Sequence, residues 1–407
     1  MQLSDVKLND PDVFVQGVPH EMFKVLRREA PVYRHADNDG SSFWVISKYE
    51  DVKHIGTQPR LFSSMRQGTL IRDPLVHELP MIQAIMLNMD PPQHRQYRKI
   101  VSSTFTPRMI REIEGKVERM VTEIIDAVCE RGECDFVNDI AAPQPMLVIC
   151  EMMGVPEEDR KAIFDISNRM IGFEDPEYKG MVEEDYKLAS GEMFMYANKL
   201  AERARKFPGD DLGTALLNAE VDGQRLSELD FNSFFLLLSI AGNETTRTVT
   251  TNGMFNLIEH PDQYRLLHDD PSLVSSAIEE MLRYNPPVHY FRRTVTADTE
   301  LRGVKLREND KISLWYPSAN RDEDVFTDAD TFDIRRSPND HLAFGFGEHY
   351  CLGANLARLE LQAMFRELVR RLPDIELTAP PRRLRSNFVN GVKEMRVRFT
   401  PVRRQGA

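Results

Sequence analysis

Between Arg98 and about Leu372, apolar residues recur three and four positions apart, as in MIREIEGKVERMVTEIIDAV (109–128). That spacing predicts helices that lay one stripe against a core. The first hundred residues differ, mixing PVYRH (31–35) and SFWVIS (42–47), which predict strands, with a helical stretch from Glu21 to Glu29. After Asn285, VHYFRRTVTA and ELRGVKLRENDKISLWY predict strands and a hairpin, and the last forty residues, rich in Pro and Arg, predict further short strands. No repeat, low-complexity tract or linker divides the chain. The expectation is a mainly α protein with a smaller β-rich portion, organised as a single domain over residues 1–407.

One predicted helix stands apart. It opens on Ser227-Glu228-Leu229-Asp230, a capping box in which Asp230 replaces the usual Glu. It runs to about Glu259, before Pro261, which makes it roughly 50 Å long at 1.5 Å per residue. Its first half, FNSFFLLLSIAG, is apolar on nearly every face and is therefore expected to be buried. Midway lies AGNETTRTVTT, where Glu244 sits beside Ala241, Gly242 and threonines. Threonine hydroxyls bond back to carbonyls one turn earlier and bend a helix, and Gly242 leaves space on one face. A buried carboxylate and hydroxyl beside a gap point to a ligand and proton traffic. A locally satisfied polar cluster is the plainer reading.

Composition narrows the class. The 407 residues are 41% hydrophobic and 29% charged, with a net charge of −12. That balance is soluble and globular, and it argues against wholesale nucleic-acid binding. The N-terminus, MQLSDVKLNDPDVF, has no basic region followed by an apolar run, and the longest apolar run, at 234–240, is far short of the roughly 18 residues that a span requires. A cytoplasmic protein without a membrane anchor is expected. In that reducing setting Cys129, Cys134, Cys150 and Cys351 predict free thiols rather than disulfides. Cys129 and Cys134 have no second ligand pair at zinc spacing.

Cys351 is the exception, set in AFGFGEHYCLG just before the amphipathic stretch LGANLARLELQAMFRELVRRL. The first turn of that helix favours a thiolate. Gly345 and Gly347 allow tight turns, Gly353 lets a flat group approach the backbone, and Phe344 is placed to shield the sulfur. A shielded thiolate suits a haem iron. The rival reading, a cysteine nucleophile, requires solvent access and a general base.

Phe344-x-x-Gly347-x-x-x-Cys351-x-Gly353 resembles the haem-binding loop of the cytochrome P-450 superfamily. Glu280-Met-Leu-Arg283 resembles its ExxR pair, Ala241–Thr246 its central-helix signature, Asp90-Pro91-Pro92-x-His94-x-x-x-Arg98 its haem-crossing helix, and Ala319–Asp322 with Phe332-Asp333 the stretch before the loop. The resemblance covers about residues 20 to 400, with the motifs in family order. It implies the P-450 fold, a triangular prism with its long central helix over the haem, and haem b (iron protoporphyrin IX) as cofactor. Cys351 is implied as the thiolate that favours cleavage of an iron-bound O–O bond. His94, Arg98, Arg293 and His349 are implied as donors to the propionates. Glu280, Arg283 and Arg336 are implied as a structural ion-pair cluster, and Glu244 with Thr245 as the proton-delivering pair. That pair favours O2 and two electrons over a peroxide-driven fatty-acid hydroxylase or a haem-thiolate sensor without turnover.

Electrons are expected from a ferredoxin and its reductase. Arg95, Arg98, Lys99, Arg108 and Arg111 form a run without an acid between His94 and Arg111, which suits an acidic donor. Family position places the substrate among Ile71, Ile82, Met86, Leu87, Leu237, Leu238, Ala241, Val288, His289, Phe291, Phe388 and Val389, nearly all of them apolar. The runs MLNMDPPQH, FTPRMIR, FEDPEY, AGNETTR, HYCLGANLAR and LRSNFVNGVK resemble an actinobacterial branch that hydroxylates the side-chain end of cholesterol-derived steroids. FGFGEHY and HYFRR depart from that branch, so a steroid, a terpenoid or a branched fatty acid fits the apolar set.

Overall fold

A computed structural model describes residues 1–37, 40–105, 107–170, 175, 177 and 182–405. Most of the run at 173–178 therefore lies outside the described residues. The helices that position the site are α1 (Tyr49–Gly56), α2 (Gln93–Thr104), α3 (Pro107–Val128), α4 (Pro143–Met153), α5 (Glu228–Glu259), α6 (Val274–Tyr284) and α7 (Ala354–Arg371). The main sheet is built from β1 (Val32–Ala36), β2 (Ser42–Ile46), β3 (Phe62–Ser63), β4 (Tyr290–Val295) and β5 (Lys311–Trp315), in the order β1-β2-β5-β4-β3.

Each expected strand and helix of the opening pattern is present. α5 is 32 residues long and is capped as expected: Ser227 Oγ accepts from the Asp230 amide at 3.2 Å, and the Asp230 carboxylate accepts from the Ser227 amide at 2.8 Å. The largest hydrophobic cluster joins α3, α4, α5, α6 and α7 through Val117, Ile149, Phe235, Met281 and Phe365. β4 pairs antiparallel with β5, Ile312 opposite Arg293, and β5 pairs parallel with β2. This register sets Phe291 and Arg293 on one face of β4, with Tyr290 and Arg292 on the other. Among the described residues no helix is long and apolar enough to cross a membrane.

Candidate active site

Gly345 and Gly347 both adopt left-handed backbone, φ +70° and +74°, a region costly for any residue with a Cβ. Gly347 is also crowded, since a Cβ there would lie 2.1 Å from the Gly56 carbonyl oxygen at the end of α1. The loop thus pinned lets the Cys351 amide donate to the Phe344 carbonyl at 2.9 Å. The Gly353 amide hydrogen-bonds the sulfur just before α7 begins. Over the Phe344 ring lies the Arg358 guanidinium, 4.6 Å from its centre. At Gly353 an added Cβ would meet nothing within 4 Å.

Cys351 is accessible to solvent although protein surrounds it on most sides. Burial raises its pKa, and the Gly353 amide, Arg98 and Arg358 offset only part of that. The helix-terminal amide acts in the expected direction, and burial acts against it. Desolvation outweighs one amide and two guanidiniums, so coordination to a metal is what would hold this sulfur deprotonated. Cys129, Cys134 and Cys150 are buried, and burial pushes the last two up to about 12.

Four basic groups converge near the loop. The His94 and His349 rings stand 4.2 Å apart, and His349 Nε2 lies 3.3 Å from Ser64 Oγ. Arg98 donates to the carbonyls of Glu348 (3.4 Å) and Tyr350 (2.6 Å). Arg293 is 6% exposed, and its hydrogen bond goes to the Arg292 carbonyl at 2.8 Å rather than to an acid. Burial lowers the pKa of His94, Arg98 and Arg293, and drives His349 down to about 2 with added repulsion from Arg293, His94 and Arg98. Glu348 lies 3.3 Å from His94, and the charge of the Asp90 carboxylate acts on His94 and Arg293 without a side-chain hydrogen bond to either among the described residues. A buried guanidinium without an anion is costly, so this donor set suits the carboxylates of a bound group.

Glu280 and Arg283 are treated differently. Both are 0% exposed and meet through two 2.8 Å bonds. Arg283 also donates to the carbonyls of Asn320, Ala329 and Thr331, while Glu280 accepts from Arg336 (3.2 Å), Asn339 (3.1 Å) and the Asp333 amide (2.9 Å). Every polar direction of the pair is occupied.

On α5, Phe231 to Phe235 are buried, but Leu237, Leu238 and Thr245 are half-buried and Ala241 is exposed. The expectation of burial on all faces therefore fails along this stripe. Thr245 Oγ1 donates to the Ala241 carbonyl at 2.7 Å, and Glu244 points elsewhere, ion-paired with Arg247 at 2.8 Å. Glu244 and Thr245 are thus neighbours in sequence that bond to different partners. Burial raises the Glu244 pKa, and Arg247 lowers it only in part. The gap expected at Gly242 is filled by Ile149, which would stand 3.0 Å from an added Cβ.

The substrate candidates divide. Val288 bridges to Val389, and Phe291 lies 5.7 Å from Phe388 and 6.1 Å from Tyr316 between ring centres. These residues, with Ile82, Leu87, Leu237, Leu238 and Ala241, keep accessible surface. Ile71 and Met86 are buried within hydrophobic clusters. His289 is buried against Phe14 (4.7 Å), its Nδ1 is 3.1 Å from the Asn387 carbonyl, and burial lowers its pKa to about 4. The alternation that turns Val288 one way turns His289 the other. Sequence reasoning missed Tyr316 and Glu348, whose neighbours are remote in sequence, and Arg247, whose i,i+3 spacing from Glu244 was the available signal.

The basic run is also changed by folding. Glu348 forks onto Arg95 (2.9 and 3.0 Å), Asp222 takes Lys99 (2.7 Å), and Arg98 turns inward to the loop carbonyls. Arg111 is exposed, and the Arg108 side chain lies outside those described.

A family profile described as cytochrome P450 matches residues 9–398. The chain belongs to the cytochrome P450 family. This P450 is 40% identical to a steroid C26-monooxygenase of Rhodococcus jostii, over 96% of the chain and 84% of that protein. It is 41% identical to a methyl-branched lipid omega-hydroxylase of Mycobacterium tuberculosis, over 98% and 95%. A Mycobacterium marinum cytochrome P450 crystallised with pseudoionone superposes with a TM-score of 0.88 at 36% identity, covering 95% of this chain and 97% of that one. The P450 is a monooxygenase, and the cofactor of its family is haem. The residues present fit that group: an accessible sulfur stands near a glycine with open space, and the buried Arg293 guanidinium bonds a carbonyl rather than an acid.

Proposed function

We propose that this P450 hydroxylates a large apolar molecule, a steroid (at its side chain) or a terpenoid, using O2 and two electrons from a ferredoxin and its reductase. The observation that carries the reading is the coincidence of an accessible sulfur on a pinned loop with a buried guanidinium, Arg293, whose hydrogen bond goes to a carbonyl rather than to an acid. In it, Cys351 ligates the iron of haem b, His94, Arg98, Arg293 and His349 hold the propionates, and Phe344 and Gly353 shape the thiolate side. Bound there, the haem supplies activation of dioxygen.

Thr245 would hold the proton to be delivered at Oγ1, its bond to the Ala241 carbonyl fixing the hydroxyl on the accessible stripe of α5. Glu244 returns protons to Thr245 only after leaving Arg247, and its raised pKa suits a group that gives a proton up near neutrality. Leu237, Ala241, Val288, Phe291 and Val389 contact substrate, while Ile71, Met86 and His289 back that wall. The apolar set favours burial of a hydrocarbon skeleton, and the relatives' names favour a steroid or a branched lipid.

The test is the Soret band of the reduced protein under carbon monoxide. A strongly red-shifted band in the wild type, lost in Cys351→Ser, is expected; no haem absorbance in the wild type overturns the reading. Thr245→Ala is expected to divert NADH consumption from product to peroxide. Unchanged coupling removes Thr245 from proton delivery.

A further inference from the structure

Arg95 and Lys99 sit four residues apart on α2, so both project from one helix face. Their side chains are 64% and 59% exposed, yet neither is electrostatically free. Glu348, from the cysteine loop, binds Arg95 through both carboxylate oxygens. Asp222, from the turn between the two-residue strands Glu220–Val221 and Gln224–Arg225, binds Lys99. The two acids lie 253 and 123 residues away in sequence from the cations they cover. Beside Glu348, Phe346 and Tyr350 are 39% and 40% exposed.

We propose that the chain masks its own donor-docking face, with Glu348 and Asp222 standing on Arg95 and Lys99 in the positions that carboxylates of an acidic ferredoxin take on binding. This rests on the ferredoxin reading above. A guanidinium fork presents its paired N–H groups to one carboxylate at a time, so the donor must displace Glu348 to reach Arg95. Displacement does not strand Glu348, because His94 Nδ1 lies 3.3 Å from its Oε1 and remains as a partner. Asp222 is exposed and returns to water when displaced. Ion pairs this exposed are weak, so the mask opens readily. It suppresses binding to unspecific anions while Phe346 and Tyr350 supply apolar contact to a partner of the right shape.

The test is calorimetric titration of the haem-loaded, full-length protein with a plant-type [2Fe–2S] ferredoxin at low and high salt. Glu348→Gln and Asp222→Asn are each expected to tighten the complex by about 2–5-fold at low salt, with the gain lost at about 1 M salt. Asp222 has φ +54°, which asparagine tolerates, so this variant keeps the test valid should Glu348→Gln load haem poorly. A wild type that binds with salt-dependent affinity and variants that bind no tighter overturn the mask and leave the donor reading standing. Weaker binding by Asp222→Asn overturns it too, since Asp222 would then be a contact. No binding by any of the three proteins at low salt overturns the acidic-donor reading itself, and the mask with it.

Discussion

Glu280, Arg283 and Arg336 lie in one region of this P450 and His94, Arg98, Arg293 and His349 in another, and both bury positive charge. Around Arg283 the charge is met by a carboxylate at 2.8 Å and three carbonyls, and the carboxylate in turn accepts from three further groups. Around Arg293 the charge meets one carbonyl directly, repels a protonated His349, and draws only unbonded electrostatic support from Asp90 and Tyr316. Burial of a charge is tolerated when pairing is complete and is costly when it is not. The first region is therefore closed on itself and structural. The second leaves Arg293 without a bonded acid, so an anion from outside the chain would complete it.

The largest effect that tests this contrast is expected at Arg283. Arg283→Ala leaves Glu280 buried without its principal cation, and about 3–5 kcal/mol of stability is expected to be lost. Denaturant unfolding followed by circular dichroism measures it, and a loss below about 1 kcal/mol would break the comparison. Arg293→Met is expected to act in the opposite sense on the haem-free protein, leaving its stability unchanged or slightly raised. The same substitution is expected to speed haem transfer to excess apomyoglobin by about tenfold or more, from the loss of a charged hydrogen bond worth about 1.5–3 kcal/mol. Haem held as tightly as in the wild type would remove Arg293 from the cofactor's partners.

The smallest effect concerns Arg358, which links the two regions. Its guanidinium covers Phe344 of the cysteine loop and grips Glu279 at 2.7 and 2.8 Å, with His341 3.0 Å from the same carboxylate. Burial pushes Glu279 up, but hydrogen bonds from Arg358 and His341 outweigh it and hold the group at about 2. An unfolded glutamate titrates near 4.3. The folded pKa is the lower, so this stabilisation is fully present above about pH 4.3 and is lost as the pH falls towards about 2. About 1–2 kcal/mol of acid sensitivity in that window is expected in the wild type, and Glu279→Gln should flatten it. An equally steep acid transition in the variant would show that the link is not electrostatic.

Much of this was legible in the residues. The capping box of α5, the strands at 32–36 and 42–46, the helix at 107–128 and the glycine-flanked cysteine follow from local chemistry, because caps, alternation and left-handed turns are decided by neighbours in sequence. The site was legible as a set of positions through motifs in family order. Its directions were not. His289 was grouped with Val288 although strand alternation sends them to opposite sides, and Glu244 was grouped with Thr245 although they bond to different partners. Arg95 and Lys99 read as free because no acid lies near them in sequence, while folding brings Glu348 and Asp222 onto them.

The sequence alone determined that this chain is helical with a smaller sheet, that a capping box opens its longest helix, and that one cysteine is set apart from the other three. These are properties of composition, period and backbone conformation, which act over a few residues. Tertiary structure alone decided which arginine is paired and which is not, how far burial outweighs the amide at Cys351, and which basic side chains face outward uncovered. Each of those is a balance of desolvation against partners contributed from residues hundreds of positions away, and no local pattern contains the partner.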